Sequence, residues 1–198
     1  MNRTDIINLI IQKNNFSSYL EIGVNDPAVN FDRIECKFKR GVDPIPQRAD
    51  IIGTTSDLFF SQLPGIFDLV FIDGLHHCHQ VLKDIENSLR HISKNGIVLC
   101  HDMLPENEIV QRVPRVSKTW TGDCWKAWSF LRMTRKDLNM FVLNTDYGIG
   151  FIQKGEQNLY RPNISLDEMN YSFFDSNKKE LMNIIELGEF FHDECFLP

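Results

Sequence analysis

The sequence predicts an α/β fold in which one doubly wound, mostly parallel sheet carries helices on both faces and ends in an antiparallel strand pair. Residues 67–105 read as two buried strands with an amphipathic helix between them, the unit from which parallel sheets are built. Three further short apolar segments precede this unit, separated by helical or turn segments. Apolar residues 141–143 and 148–152 flank a short polar turn, which predicts the antiparallel pair.

The strand-helix-strand unit has the clearest pattern in the chain. Residues 67–72 form an almost continuous apolar run, as expected for a strand that is covered on both faces. Residues 79–92 then place apolar side chains at helical spacing, namely Val81, Leu82, Ile85, Leu89 and Ile92. Residues 94–96 supply a helix stop, and the apolar residues 97–100 predict the next strand.

The first part of the chain predicts one helix and three strands before this unit. Residues 4–13 show an amphipathic pattern, with Thr4 as the expected N-terminal cap. The expected strands are residues 19–24, 41–43 and 51–53. A helix follows the last of them, and its candidate caps are Thr54, Thr55 and Ser56.

The pattern beyond residue 105 is less regular. A polar loop leads into a helix expected over 123–132, and a terminal helix is expected over 176–191. We find no internal repeat, so we interpret the chain as a single domain. Its parts are an N-terminal helix in 1–15, a core in 19–152 and a C-terminal extension with a helix in 156–198.

Composition and charge narrow the class of protein. The chain has 198 residues, of which 42% are hydrophobic and 24% charged, and its formal net charge is -6, which is typical of a mildly acidic globular protein. This charge disfavours nucleic acid as a partner. The N-terminal stretch lacks a cleavage site and no segment is apolar enough for a membrane span, so we predict a cytoplasmic protein with no membrane partner. The five scattered cysteines show no paired spacing and are interpreted as reduced thiols.

Ionisable residues follow both strands of the central unit. Asp73, His76 and His77 come after the first strand, and His101 and Asp102 come after the second. Ligands of doubly wound sheets bind beyond the carboxyl ends of the strands. We therefore expect these five residues to converge on one crevice.

The earlier strands also end in residues that suit a binding site. Gly23, Asp43 and the turn 55–57 lie at their expected exits. Glu21 is a carboxylate inside an otherwise apolar strand. A buried carboxylate needs hydrogen-bond partners, so we expect Glu21 either to accept bonds from the protein or to meet a ligand.

Three segments resemble the class I S-adenosylmethionine-dependent methyltransferases. YLEIGV at 19–24 is similar to the first cofactor motif of that superfamily, and GVDP at 41–44 is similar to its acidic second-strand motif. Residues 67–105 resemble the segment from the fourth strand to the fifth. The resemblance implies a Rossmann-like fold and a methyl donor in the predicted crevice.

The order of the motifs is most similar to the compact bacterial group called methyltransferase family 24. That group has an IDG-x-H loop, an HD pair and a later GD-x-W in this order, found here at 72–76, 101–102 and 122–125. The likeness covers residues 19–152, and the whole ordered set is far more specific than any one motif. One departure is that a single glycine, Gly23, stands where the superfamily has a glycine-rich turn.

The resemblance implies roles for the residues at the strand exits. Gly23 would let the backbone approach the donor's amino acid end, Glu21 would hold that region, and Asp43 would bind the ribose hydroxyls. Asn25 would tolerate the special backbone geometry of the turn. The complete set implied for S-adenosyl-L-methionine is Glu21, Gly23, Asn25, Asp43, Thr55, Ser56 and Asp73.

A divalent cation is a further implication. Asp73, His101 and Asp102 look like the metal ligands of catechol-type O-methyltransferases, and this donor set suits Mg²⁺, Mn²⁺ or Fe²⁺. In the alternative, the carboxylates contact only donor and backbone, and His76 or His101 acts as a metal-free base. The catalytic candidates are therefore His76, His101 and Asp102.

The acceptor side is the least defined by sequence. His77, Asp123 and Trp125 are the candidates for contact with the substrate; the alternatives are a surface or helix-start position for His77 and core packing for Trp125. We predict methyl transfer to a small-molecule acceptor, a hydroxyl of a sugar or related metabolite. A homodimer is left open.

Two other functions stay open at this point. A dinucleotide-dependent oxidoreductase using NAD would share the sheet, but it expects G-x-G-x-x-G after the first strand, which this chain lacks. A non-catalytic binding subunit would keep the fold without the chemistry. The acids and histidines at the strand exits argue against it.

Overall fold

The computed structural model describes residues 1–62 and 65–192. The strands in this part of the chain are β1 (Ser18–Ile22), β2 (Phe38–Asp43), β3 (Ile52–Gly53), β4 (Phe67–Ile72), β5 (Ile92–Cys100), β6 (Leu138–Leu143), β7 (Ile149–Lys154) and β8 (Ile184–Ile185). They form one sheet in the order β3-β2-β1-β4-β5-β7-β6-β8. Strands β1 to β5 are parallel, β7 is antiparallel to both β5 and β6, and β8 is parallel to β6.

Helices cover both faces of this sheet. They are α1 (Arg3–Asn14), α2 (Ser56–Ser61), α3 (Cys78–Arg90), α4 (Cys124–Thr134), α5 (Tyr171–Met182) and α6 (Leu187–His192), with short 3₁₀ helices at Phe31–Arg33 and Leu166–Glu168. On one face, α2 to α5 bury an apolar cluster that includes Ile85, Trp128 and Phe174. On the other, α1 and α6 bury a second cluster that includes Ile7 and Phe190. The predicted α/β fold class is confirmed.

The strand order fixes where a ligand can bind. Strand β1 pairs with β2 on one side and with β4 on the other, so successive strands progress in opposite directions from the β1/β4 boundary. At such a switch point the loops after the two strands diverge and leave a crevice at their carboxyl ends.

Two predicted helix ends are wrong. Thr4 does not cap α1; Asn2 does, in a reciprocal pair of hydrogen bonds with Asp5, because the Thr4 hydroxyl is buried and donates to the Asn30 side chain at 2.8 Å. Residues 94–96 are not a helix stop, since α3 already ends at Arg90 and β5 begins at Ile92. They lie in an irregular stretch of β5, where its pairing with β4 shifts register.

The predicted helix over 176–191 is also wrong as a single element. Asn183 takes a left-handed conformation with φ 52° and ends α5, and its side chain donates to the Met140 carbonyl at 2.7 Å. The next two residues pair with β6 as strand β8. The apolar pattern of this region predicts one helix, because a strand of two residues is too short to show the alternating pattern of a strand.

Two sequence interpretations concern membranes and thiols. No helix in the described ranges combines the length and apolarity needed to cross a bilayer. The described cysteines, Cys36, Cys78, Cys100 and Cys124, are free thiols, while Cys195 lies outside the described residues.

Candidate active site

A cavity of about 810 Å³ lies at the carboxyl ends of the parallel strands. The exits of β1, β2, β4 and β5 line it, together with the start of α1, the start of α2, one side of α3 and the loop 115–121. Its volume falls within the range of about 300–1,000 Å³ that is typical of small-molecule sites. The structure thus brings most of the predicted residues to one crevice.

Glu21 is 2% exposed and makes the hydrogen bonds that its burial requires. It accepts from the Tyr19 hydroxyl at 2.5 Å and from the Asn30 side-chain amide at 2.9 Å. Burial raises the pKa of Glu21 to about 7, because the charged carboxylate is poorly solvated there. Glu21 also lines the cavity. Its bonds to the protein are observed, while contact with a ligand stays a prediction.

The turn after β1 is shaped by contact with the turn after β4. Gly23 has φ +86°, and a Cβ there would lie 2.3 Å from the Asp73 carbonyl oxygen. The glycine is therefore required by the close crossing of two backbone segments. Asn25 adopts the left-handed conformation with φ 48°, as the sequence suggested it could.

Asp43 lies at the exit of β2 with both carboxylate oxygens oriented by backbone amides. Oδ2 accepts from the Asn25 amide at 2.9 Å and Oδ1 from the Ile45 amide at 2.8 Å. Each carboxylate oxygen has a second lone pair, so the group can still accept from two hydroxyls of a ligand in the cavity.

Polar residues of α2 and α3 close the same end of the cavity. Thr55 caps α2, accepting from the Leu58 amide at 3.3 Å. The Gln80 side-chain amide donates to Ser56 at 3.1 Å and to Asp84 at 3.0 Å. The sequence analysis missed Gln80 and Asp84; the available signal was that Asp84 falls on the apolar side of an amphipathic helix.

The buried Asp84 carboxyl leads to a stability prediction. Burial raises its pKa to about 6, so between about pH 4 and 6 the folded chain keeps a proton that the unfolded chain has lost, and the free energy of unfolding falls as pH rises. Asp84→Asn removes this dependence on pH. As pH rises from 4.5 to 7.5, we expect the free energy of unfolding of the variant to increase by about 1–3 kcal/mol relative to that of the wild type, measured by urea unfolding.

Asp57→Asn is the matched control, because Asp57 also bonds Gln80 but lies at the surface. Gln80 and Lys83 lower the pKa of Asp57. The free energy of unfolding of Asp57→Asn, relative to the wild type, should therefore fall as pH rises, opposite to that of Asp84→Asn. If the free energy of unfolding changed with pH in the same way for the wild type and Asp84→Asn, the raised pKa of Asp84 would be contradicted.

At the exits of β4 and β5, His76 lies between two carboxylates. Its Nε2 is 3.3 Å from Asp73 Oδ1, and its Nδ1 is 3.1 Å from Asp102 Oδ2 and 3.0 Å from the Trp120 carbonyl oxygen. Burial would lower the pKa of His76, but Asp73 and Asp102 outweigh it and the pKa is raised. Both ring nitrogens face acceptors, which favours the imidazolium form.

His101 is buried between three carboxylates. Its Nδ1 lies 3.2 Å from Asp102 and 3.4 Å from Asp73, and its Nε2 lies 3.4 Å from Asp146. Burial would lower the pKa of His101, but the charge of Asp73 and the other carboxylates raise it well above its ordinary value. A protonated imidazole has no lone pair for a metal ion.

One group of side chains among the described residues has the geometry to hold a metal ion, and it includes His76, which the sequence did not predict as a ligand. Oxygen and nitrogen atoms of Asp73, His76 and Asp102 lie within 4.8 Å of one another. His101, the predicted ligand, is not part of this group, although its Nδ1 also lies 3.2 Å from Asp102 and 3.4 Å from Asp73. Asp102 has φ 63°, a left-handed conformation at the end of β5, where its carboxylate meets His76.

Two charged residues of this cluster were missed. Arg3, from the first turn of α1, bonds Asp73 Oδ2 through Nη1 at 2.5 Å. Its backbone amide and Nε donate to Asp146 Oδ2 at 2.7 and 3.2 Å. Burial would raise the pKa of Asp146, but His101 and Arg3 lower it to about 2. Arg3 is 70 positions from Asp73 and 143 positions from Asp146, and no local pattern in the sequence predicts contacts over such separations.

The residues expected to contact an acceptor lie elsewhere. Trp125 is fully buried and packs on Phe174 of α5, with ring centroids 4.9 Å apart, because α4 needs it in the core. Asp123 accepts from the Cys78 amide at 2.7 Å and so caps α3, and His77 is the residue before that helix. None of these three sequence candidates is among the residues that line the cavity.

The loop 115–121, which precedes α4, lines the cavity, whereas His77, Asp123 and Trp125 do not. Trp120 stacks on His76 with centroids 5.2 Å apart, and the Arg115 guanidinium lies 5.7 Å from the Trp120 ring centroid. A Cβ at Gly122 would lie 1.8 Å from the His76 carbonyl oxygen, so the loop crosses the chain closely there. That contact explains the glycine of the GD-x-W motif.

Comparison with known proteins agrees with this geometry. The sequence profile of a family described as a methyltransferase domain matches residues 20–103. The match runs from β1 to just past the end of β5 and contains Glu21, Asp43, Asp73, His76 and Asp102. No curated protein matches the chain.

Solved structures share the fold at low sequence identity. A Podospora anserina methyltransferase bound to S-adenosylhomocysteine is 15% identical, with a TM-score of 0.60 over 78% of each chain. The O-methyltransferase TomG from Streptomyces achromogenes, in complex with S-adenosylmethionine, is 11% identical, with a TM-score of 0.57 over 77% of this chain and 79% of that one. An O-methyltransferase from Bacillus cereus in complex with S-adenosylhomocysteine is 15% identical, with a TM-score of 0.56 over 78% and 80%.

Proposed function

We propose that this chain is an S-adenosylmethionine-dependent methyltransferase and that it transfers the donor's methyl group to a hydroxyl of a small acceptor, a sugar or a related metabolite. The observation that carries the proposal is the convergence of Glu21, Asp43, Asp73 and His76 on one cavity at the switch point of the sheet. These four residues come from three separate segments, namely β1 and the exits of β2 and β4, and all of them line this cavity.

The donor fits the cavity by charge and by hydrogen-bonding capacity. Asp43 offers two oriented carboxylate oxygens to a pair of ribose hydroxyls. Asp73 presents a carboxylate held in the charged form, because His101 and Arg3 keep its pKa well below the ordinary value although burial would raise it. A carboxylate there suits the ammonium and sulfonium charges of S-adenosylmethionine. Thr55 and Ser56 lie beyond Asp43, where the adenine would bind.

Catalysis would rest on positioning and on removal of one proton. The donor carries its methyl group on a sulfonium, and transfer to oxygen is an in-line displacement. In a site without a cation, His76 is the base that we propose for the acceptor hydroxyl, and it must be neutral to act. In a site with a cation, His76 would instead be one of the ligands, and the cation would favour loss of the acceptor's proton.

A divalent cation suits the same residues. Asp73, His76 and Asp102 would supply two carboxylate oxygens and one imidazole nitrogen, a donor set that fits Mg²⁺, Mn²⁺ or Fe²⁺. When bound, such an ion would lower the pKa of the acceptor hydroxyl. His101 would then stay outside the ligand set and hold Asp102 and Asp146 in place.

This proposal predicts a response to chelation. We expect EDTA to lower the rate of methyl transfer at least ~10-fold, and Mg²⁺ or Mn²⁺ to restore it. Calorimetric titration with Mn²⁺ should show binding to the wild type that is lost in Asp102→Asn. A rate unaffected by EDTA would rule out the metal and leave His76 as a metal-free base.

The Trp120 loop favours a sugar-like acceptor. An indole face packs well against the C–H surface of a sugar ring, and Trp120 lies directly beside His76. Arg115 adds a cation at the same wall, so an acidic substituent on the acceptor would be tolerated there. We propose the cytoplasm as the compartment of the protein. Whether the protein forms a homodimer is left open.

The function is tested by calorimetry and by product analysis. Titration with S-adenosylhomocysteine should show binding, and NAD should show none. Incubation of the protein with methyl-labelled donor and a panel of sugars and sugar derivatives, followed by mass spectrometry, should show a gain of one methyl group. NAD binding without donor binding would overturn the proposal.

A further inference from the structure

The first turn of α1 reaches the proposed catalytic cluster from outside the methyltransferase domain match. Arg3 precedes the matched residues 20–103, yet it lines the cavity and bonds Asp73 at 2.5 Å. Its guanidinium pairs with both Asp73 and Asp146.

The guanidinium is itself held in a defined orientation. Asp146, in the β6–β7 turn, accepts from both the Arg3 backbone amide and its Nε through the same oxygen. This leaves Nη1 directed at Asp73 Oδ2. A planar guanidinium bound at two points presents its remaining donors at fixed angles.

The consequence falls on the carboxylate of Asp73. With Oδ2 bonded to Arg3, Oδ1 faces His76 Nε2 at 3.3 Å and His101 Nδ1 at 3.4 Å. Arg3 thus determines which oxygen of Asp73 is directed at the two histidines. We propose that Arg3 is a positioning residue for methyl transfer, acting through Asp73 on His76. This inference rests on the proposed function of the same site.

Attachment of α1 does not explain the contact. The helix is already held by the fully buried side chains Ile6, Ile7 and Ile10, and by the Thr4 bond to Asn30. A partly buried ion pair adds little net stability, because the cost of removing both charges from water offsets their attraction. The orientation of Asp73 is the effect that remains.

The test compares two changes within one helical turn. Arg3→Met removes the guanidinium but keeps an unbranched stem and a good helix former. Asp5→Ala removes the capping partner of Asn2 and makes no contact with the site, so it controls for loosening of the helix start. Arg3→Lys keeps one charge but cannot bond Asp73 and Asp146 together.

The expected results separate positioning from attachment. We expect Arg3→Met to lower kcat about 10- to 100-fold while S-adenosylhomocysteine affinity changes less than ~3-fold. Arg3→Lys should lie between Arg3→Met and the wild type, and Asp5→Ala should keep the wild-type kcat. Equal losses in Arg3→Met and Asp5→Ala, or wild-type kcat in Arg3→Met, would overturn the inference.

A second readout does not depend on turnover. The imidazole ¹⁵N resonances of His76 should shift in Arg3→Met and stay in place in Asp5→Ala, since only the former frees Asp73. Unchanged resonances in Arg3→Met would overturn the inference even if no acceptor is found. Failure of the proposed function would appear differently, as absence of S-adenosylhomocysteine binding in the wild type.

Discussion

Replacing Asp43 with alanine is expected to weaken binding of S-adenosylhomocysteine by at least ~100-fold, because two hydrogen bonds to a charged acceptor are lost and each contributes roughly 1.5–3 kcal/mol. The same change removes the acceptor of the Asn25 and Ile45 amides, so part of the loss would come from looser turns. Isothermal titration calorimetry measures the affinity directly. Asp43→Asn keeps one acceptor oxygen and should lose less.

Asp137→Ala is the matched control for Asp43. Asp137 is an exposed carboxylate that pairs with Arg135, far from the cavity lining. Its variant should bind S-adenosylhomocysteine like the wild type, and circular dichroism should show that all variants are folded. Wild-type affinity in Asp43→Ala would remove Asp43 from the donor site.

Replacing His76 with alanine is expected to lower the rate of methyl transfer about 100- to 1,000-fold, the usual contribution of a general base. Donor affinity should change little, since His76 faces Asp73, Asp102 and Trp120. Single-turnover measurement with labelled donor separates the chemical step from binding.

His79→Ala provides the comparison for His76, because His79 is an exposed residue at the start of α3. It should turn over like the wild type. If His76→Ala keeps the wild-type rate while binding donor, the base is another group. If it loses donor affinity and rate together, His76 serves binding more than proton transfer.

The sequence predicted the strands and their exits well. Strand β4 was expected at 67–72 and lies there, because an uninterrupted apolar run has one plausible position in a parallel sheet. The exits followed from the strand positions, so Asp43, Asp73 and Asp102 could be expected at one edge without coordinates. All three residues line the same cavity in the structure.

The sequence predicted the acceptor side poorly. Trp125 and Trp120 look equally suited to a pocket, yet Trp125 is fully buried under α5 and Trp120 lines the cavity. The difference depends on where α4 begins and how the loop before it crosses His76. Helix boundaries and loop paths depend on long-range contacts that local periodicity does not contain.

By itself, the sequence determined the α/β class, the parallel direction of β1 to β5, and the set of acids and histidines at the ends of these strands. Each of these follows from the local hydrophobic pattern and from strand direction. Only the tertiary structure decided the partners of those groups: that Arg3 bonds Asp73, that Asp146 holds Arg3, and that His76 lies between Asp73 and Asp102. The physical reason is that charge pairing acts through space, between residues whose separation along the chain leaves no trace in any local pattern.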